Sequence, residues 1–144
     1  MIYFHNDYSE GCHPKILEKL IATNLEQTPG YGEDHYCAQA ADLIKKACGR
    51  EDLAVHFLVG GTQANLTVIS AALRSHQGVI SASTGHINVH ETGAIEATGH
   101  KVCTAYAPDG KLTPALVESV VNAHSSEHMV APKMVYISDS TEIG

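Results

Sequence analysis

Positive charge is scarce in this sequence. Nine Lys and Arg stand against sixteen Asp and Glu, a formal net charge of −7 with histidine neutral. Only Lys45 and Lys46 adjoin, and a helix accounts for that pair. With no basic cluster to neutralise phosphates, a nucleic-acid partner is excluded. Long apolar runs are missing too. The longest, around Val68 to Leu73, is broken by Ser70, so no membrane span is expected. The opening Met1-Ile2-Tyr3-Phe4-His5 lacks the basic patch and apolar stretch of a signal peptide, which predicts a cytoplasmic protein. Close cysteine pairs are absent as well. Cys12, Cys37, Cys48 and Cys103 show no C-x-x-C spacing, so they read as small buried hydrophobes and no metal centre is assigned.

What is present suits one globular domain: 144 residues, 44% of them hydrophobic. Pro14 reads as the first position of a helix that fades near Glu26, with Ile16, Leu17, Leu20 and Ile21 on one face. Pro29-Gly30-Tyr31-Gly32 is a loop. Asp34 caps a second helix, His35 to Cys48, with Ala38, Ala41, Ile44 and Ala47 as its buried stripe and Gly49 closing it. Leu53 to Val59 reads as a buried strand, ended by Gly60-Gly61-Thr62. A helix follows from Gln63 to Ser75, then a strand at Val79 to Ala82. A short helix is expected over Val89 to Ala97 and a strand over Val102 to Tyr106. Pro108-Asp109-Gly110 is a turn, and Thr113 caps a helix opened by Pro114. Lys133 to Ser138 is the last strand. Strands alternating with helices predict an α/β fold, a partial three-layer αβα with a mostly parallel sheet.

Two segments carry chemistry. Val59-Gly60-Gly61-Thr62-Gln63-Ala64-Asn65 joins an expected strand to an expected helix. Glycines there allow close backbone approach, the helix N-terminus supplies partial positive charge, and Thr62 adds a hydroxyl. The segment reads either as an anion cradle, suited to a phosphate, or as an ordinary strand-to-helix turn. His86, with His90 and Glu91 behind it, follows a strand towards the same crevice. An imidazole there stacks on a planar ligand or moves a proton near neutral pH. His86, His90 and Glu91 also allow metal chelation, and the plain alternative is a polar loop feeding a helix.

The ordered set Asn6-Asp7, His13-Pro14, Tyr31-Gly32-Glu33-Asp34, Gly61-Thr62-Gln63-Ala64-Asn65, His86 through Glu91 and Gly93, and Asp109-Gly110-Lys111-Leu112 resembles the low-specificity L-threonine aldolase family. These are pyridoxal-phosphate enzymes of fold type I, in the branch shared with aromatic β-eliminating lyases. The resemblance implies that residues 1–144 form an N-terminal arm and an incomplete large cofactor-binding domain. It implies pyridoxal 5′-phosphate held by Gly60, Gly61 and Thr62, with His86 stacked on its ring and assisting proton transfer. His128 matches a second active-site histidine, and Tyr31 would reach the phosphate region of a neighbouring subunit. Asn6 stands where the family has a serine that holds the substrate carboxylate, and Gly60 replaces a Ser or Thr.

The implied reaction is retro-aldol cleavage of L-threonine or L-allo-threonine to glycine and acetaldehyde, by a homotetramer built as a dimer of dimers. The lysine that carries the cofactor is expected beyond residue 144, so this chain by itself is expected to be inactive. Another fold type I lyase, catalysing β-elimination, and a non-catalytic domain binding a phosphate ligand are the alternatives.

Overall fold

A computed structural model describes residues 10–144. Two compact units emerge, divided after Phe57. The first holds two helices, α1 (Pro14–Thr23) and α2 (His35–Cys48). The His13 side chain accepts from Lys15 N–H at 3.2 Å ahead of Pro14. Asp34 caps α2 through Cys37 N–H at 2.9 Å. Gly49, at φ 65°, ends α2, while Gly49 and Arg50 N–H reach back to the Lys46 and Lys45 carbonyls. That is the left-handed closure for which glycine is suited. The stripe expected to be buried is not: neither helix has a buried residue. Two short helices alone present too little surface to enclose their apolar faces. Cys12 and Cys48 are exposed for the same reason, Cys37 is half-buried, and only Cys103 of the second unit is buried.

Leu53 to Val59 is not a strand. A strand needs a neighbour to complete its hydrogen-bond ladder, and no described strand pairs with this segment. Val59 is 96% exposed.

The second unit runs α3 (Gly61–Ala72), β1 (Gln77–Ala82), α4 (His86–Val89), α5 (Ala94–Ala97), β2 (Val102–Ala105), α6 (Pro114–Ala123) and β3 (Ala131–Val135). The sheet order is β2-β1-β3, parallel throughout. β1 is the central strand, and five of its six residues are buried. Alternate residues of the sheet feed two cores. Val79 and Val102 meet Ile69 of α3, Ile87 of α4 and Ile95 of α5. Ile80 and Cys103 meet Val120, Leu116 and Val117 of α6. The sheet therefore lies between two helical layers, as the three-layer αβα reading expects.

Most boundaries shift by one to three residues, α3 among them at Gly61–Ala72 rather than Gln63 to Ser75, and two differ in kind. The helix foreseen over Val89 to Ala97 starts earlier and is split. Thr92 and Gly93 take φ of 51° and 76°, which a right-handed helix cannot pass through. β3 starts before Lys133 and includes Pro132. Among the described residues β3 stands at the sheet's edge, where a proline is tolerated, and a bulge lets Gly78 face Pro132 while Val79 faces Met134. Gly78 has no room for a side chain: a Cβ there would lie 2.7 Å from the Lys101 carbonyl and 2.8 Å from Val130 Cγ1.

Candidate active site

The carboxyl ends of parallel strands are where an open α/β sheet places its ligands. After β1, Gly85 N–H bonds the Ala82 carbonyl at 2.9 Å, turning the chain into α4 with His86 as its first residue. After β3, Tyr136 N–H bonds the Ile80 carbonyl at 2.8 Å, and the chain then leaves the sheet. Between these ends opens a cleft of about 450 Å³, lined by Gly61, Asn65, His86, Glu91, Tyr136 and the 137–140 segment, among others. A second cleft of about 490 Å³ lies beyond the same segment, against Gly110, Lys111 and Leu112. The first is the better candidate, because it joins a helix N-terminus to an imidazole and a carboxyl group.

Gly60 precedes α3 in extended backbone, and no side-chain hydrogen bond caps the helix. Gln63 instead reaches back, its Oε1 accepting from Val59 N–H at 2.7 Å. A Cβ on Gly60 or Gly61 would meet no heavy atom within 4 Å. The backbone there faces open space, and the first-turn N–H groups supply the donors and dipole that an anion needs. That suits the phosphate of a phosphate-bearing cofactor.

His86 has 41% of its side chain exposed, whereas the Glu91 side chain is fully buried. Glu91 Oε1 lies 2.9 Å from His86 Nδ1 and accepts from Asn65 Nδ2 at 2.6 Å. Glu91 Oε2 is buried with no partner among the described residues. The His90 ring stands 5.5 Å from the His86 ring, tilted by 58°. No group of three metal-ligating side chains forms among the described residues.

Of the residues singled out from sequence, the structure brings Gly61 and His86 to one cleft, with Gly60 and Thr62 flanking Gly61. His128 does not line it; its side chain is 89% exposed, and Nε2 lies 4.0 Å from Glu127 Oε1. Tyr31 belongs to the first unit, fully exposed at φ 62°. Asn6 lies outside the described residues. Sequence reasoning missed the joint role of Asn65 and Glu91, and the lining by Tyr136, Ser138 and Asp139. Asn65 falls within the glycine-threonine motif, one helical turn past Gly61, and that spacing was the available signal.

The beta-eliminating lyase family matches this chain over residues 7–144. The chain belongs to that family. Among relatives, it is 34% identical over 143 residues to the low specificity L-threonine aldolase of Pseudomonas sp. (strain NCIMB 10558). It is 30% identical, again over 143 residues, to the protein of that name from Pseudomonas aeruginosa. Each match covers 98% of this chain and 41% of the relative. A solved structure of Leishmania major threonine aldolase superposes with a TM-score of 0.93 at 57% identity, over 96% of this chain and 41% of that one. The chain thus spans about two fifths of the length of the relatives it matches, and it shares the fold of the Leishmania structure over that span.

Proposed function

We propose that this chain supplies the phosphate cradle and the active-site histidine of a threonine aldolase dependent on pyridoxal phosphate, which cleaves L-threonine and L-allo-threonine to glycine and acetaldehyde. The observation that carries this reading is the meeting of the uncapped α3 N-terminus and the exposed His86 ring in one cleft. The likeness to two threonine aldolases of Pseudomonas and one of Leishmania supports it. Bound there, the cofactor supplies an electron sink for bond cleavage at an amino-acid α-carbon.

The chain's own residues then have defined tasks. Gly60, Gly61 and Thr62 hold the phosphate through backbone N–H groups and the Thr62 hydroxyl, helped by the α3 dipole. His86 covers the ring and exchanges a proton with the substrate hydroxyl. To His128, exposed and outside this cleft in the present chain, we assign the role of second active-site histidine in the assembled enzyme. Tyr31 serves the phosphate of a neighbouring subunit, and Asn6 donates its amide to the substrate carboxylate. The working assembly is a cytoplasmic homotetramer in which residues 1–144 form the arm and the first part of the large domain.

The family description favours one second reading, β-elimination from a small amino acid. Substrate assays separate the two, because only the aldolase yields glycine from threonine.

The experiment is an aldehyde-release assay on the full gene product with L-threonine and L-allo-threonine, in wild type and Gly61→Val. The wild type is expected to release acetaldehyde and glycine in equal amounts. The valine meets no protein atom at its Cβ, so thermal stability is expected to hold while cofactor affinity falls about tenfold or more, the loss of one or two charge-assisted hydrogen bonds. No aldehyde from cofactor-saturated wild type would overturn the reading.

A further inference from the structure

Burying a carboxyl group is costly unless something holds it, and Glu91 has a wholly buried side chain. Its partners are unevenly placed. Asn65 Nδ2 and His86 Nδ1 converge on Oε1, at 2.6 and 2.9 Å, while Oε2 has no partner among the described residues. Three separate pieces of chain build the triplet: the second turn of α3, the first residue of α4, and the turn that breaks the helix before Thr92 and Gly93.

The chemistry of the atoms decides which way the protons point. Asn65 Nδ2 is a donor only, so Oε1 acts as an acceptor. As a carboxylate, Glu91 offers only lone pairs, so the atom that His86 turns to the same oxygen is an N–H. A neutral imidazole with its proton on Nδ1 has its lone pair on Nε2. Nε2 sits on the far side of the ring from the bond to Glu91. The ring is 41% exposed and lines the cleft.

We propose that Glu91 is a positioning residue for His86. As a carboxylate whose Oε1 also accepts from Asn65, Glu91 locks His86 as the Nδ1–H tautomer. It thereby makes Nε2 the atom that takes a proton from a ligand hydroxyl in the cleft. The identification of that hydroxyl with the β-hydroxyl of a small amino acid rests on the aldolase reading above; the tautomer does not. When Nε2 accepts the proton, the ring becomes a cation with a buried carboxyl group 2.9 Å from its other nitrogen. The charge is met without any rearrangement of the protein.

The test is magic-angle-spinning nitrogen-15 spectroscopy of the full gene product, cofactor bound and labelled at histidine. His86→Gln identifies the resonances of His86. In wild type at mildly alkaline pH, His86 is expected to show a protonated Nδ1 and an unprotonated Nε2. In Glu91→Met the Nδ1–H loses its acceptor, and a substantial share of the proton is expected to move to Nε2. That variant is also expected to lower kcat for threonine cleavage about 10- to 100-fold, below the roughly 10²–10⁴-fold of an acid–base group itself because His86 remains, with KM within about twofold. A wild-type His86 protonated at Nε2 would overturn the proposal, and so would a Glu91→Met spectrum unchanged from wild type. The wild-type result does not depend on Glu91→Met folding; it needs only the assignment variant His86→Gln, at a half-exposed side chain. Absence of threonine cleavage in wild type, with the Nδ1–H signal present, would defeat the aldolase reading and leave the tautomer assignment standing.

Discussion

Gly85 is the tightest joint in the candidate site, and substituting it gives a sharp test of how His86 is held. A Cβ at Gly85 would lie 2.1 Å from Ser81 Oγ and 3.1 Å from the Ala82 carbonyl. Ser81 is fully buried, and its hydroxyl donates to the Ala82 carbonyl at 3.0 Å. Gly85→Ala must therefore push that hydroxyl aside or move the turn. Overpacking a buried site costs about 1–3 kcal/mol, and the displaced hydrogen bond adds about 1 kcal/mol, so a loss of about 2–4 kcal/mol is expected. Ser81→Ala removes the clashing oxygen and leaves its own Cβ 3.5 Å away, an ordinary contact. Alone it is expected to cost about 1 kcal/mol, the hydrogen bond.

In the double variant only the close Ala82 carbonyl remains, so the total is expected to be about 1–2 kcal/mol, less than Gly85→Ala by itself. Urea unfolding of the four proteins measures this. A double variant whose cost equals the sum of the singles to within about 0.5 kcal/mol would refute the steric account. The same cycle has a functional readout. Gly85→Ala is expected to weaken the His86–Glu91 contact that starts one residue later, and Ser81→Ala to restore it.

Three further expectations are simpler. Ile95 is wholly buried between α3 and the sheet; Ile95→Ala is expected to cost about 2–5 kcal/mol in urea unfolding, as a cavity in a shared core does. The Asp34 carboxyl is held below its ordinary range by hydrogen bonds from the Cys37 thiol and N–H. Its folded value is depressed, so the support it gives α2 is present above the unfolded carboxyl range and lost as pH falls through the lower folded value. Asp34→Asn, still a cap but unable to ionise, is expected to flatten that acid dependence in amide exchange of α2. Burial pushes the Cys103 thiol up, with a smaller opposing pull from Lys101. Alkylation followed by mass spectrometry is expected to leave Cys103 unlabelled in the folded protein and to label it in urea.

The local signals of the sequence were read correctly where one residue type decides the backbone. Asp34, Gly49 and Thr113 sit at the helix ends assigned to them, because cap and closure depend on a few neighbouring atoms. Gly110 N–H closes the expected turn onto the Ala107 carbonyl at 3.0 Å. Misreadings occur where a distant partner decides. Leu53 to Val59 has strand composition but no paired neighbour among the described residues. Thr92 in the left-handed region is rare for a β-branched residue, so nothing in its type announced the break between α4 and α5.

The site divides in the same way. The open helix start at Gly61 was legible as a strand-like run meeting a helix, although the strand itself was misassigned. The pairing of Glu91 with His86 was not legible. The residues lie five apart, and the break at Thr92 and Gly93 accompanies the approach of the carboxyl group to the ring's Nδ1.

The strand order also sets a timetable for synthesis. β1 occupies the middle of the sheet, yet both of its neighbours follow it in the chain. β2 pairs with it through Val79 and Val102, and β3 through Gln77 and Ala131. Closing the longer connection costs about 0.8 kcal/mol more chain entropy than closing the shorter one, so β1 and β2 join first. A ribosome adds about 5–20 residues per second, and the stretch between Ala105 and Ala131 therefore takes roughly 1–5 s to appear. During that interval the nascent sheet has two strands, and the other edge of β1 presents Val79 and Ile80 with unmet backbone groups. Slowing translation between codons 105 and 131 prolongs that exposure, so the yield of folded protein becomes sensitive to codon choice in a stretch that never touches the cleft.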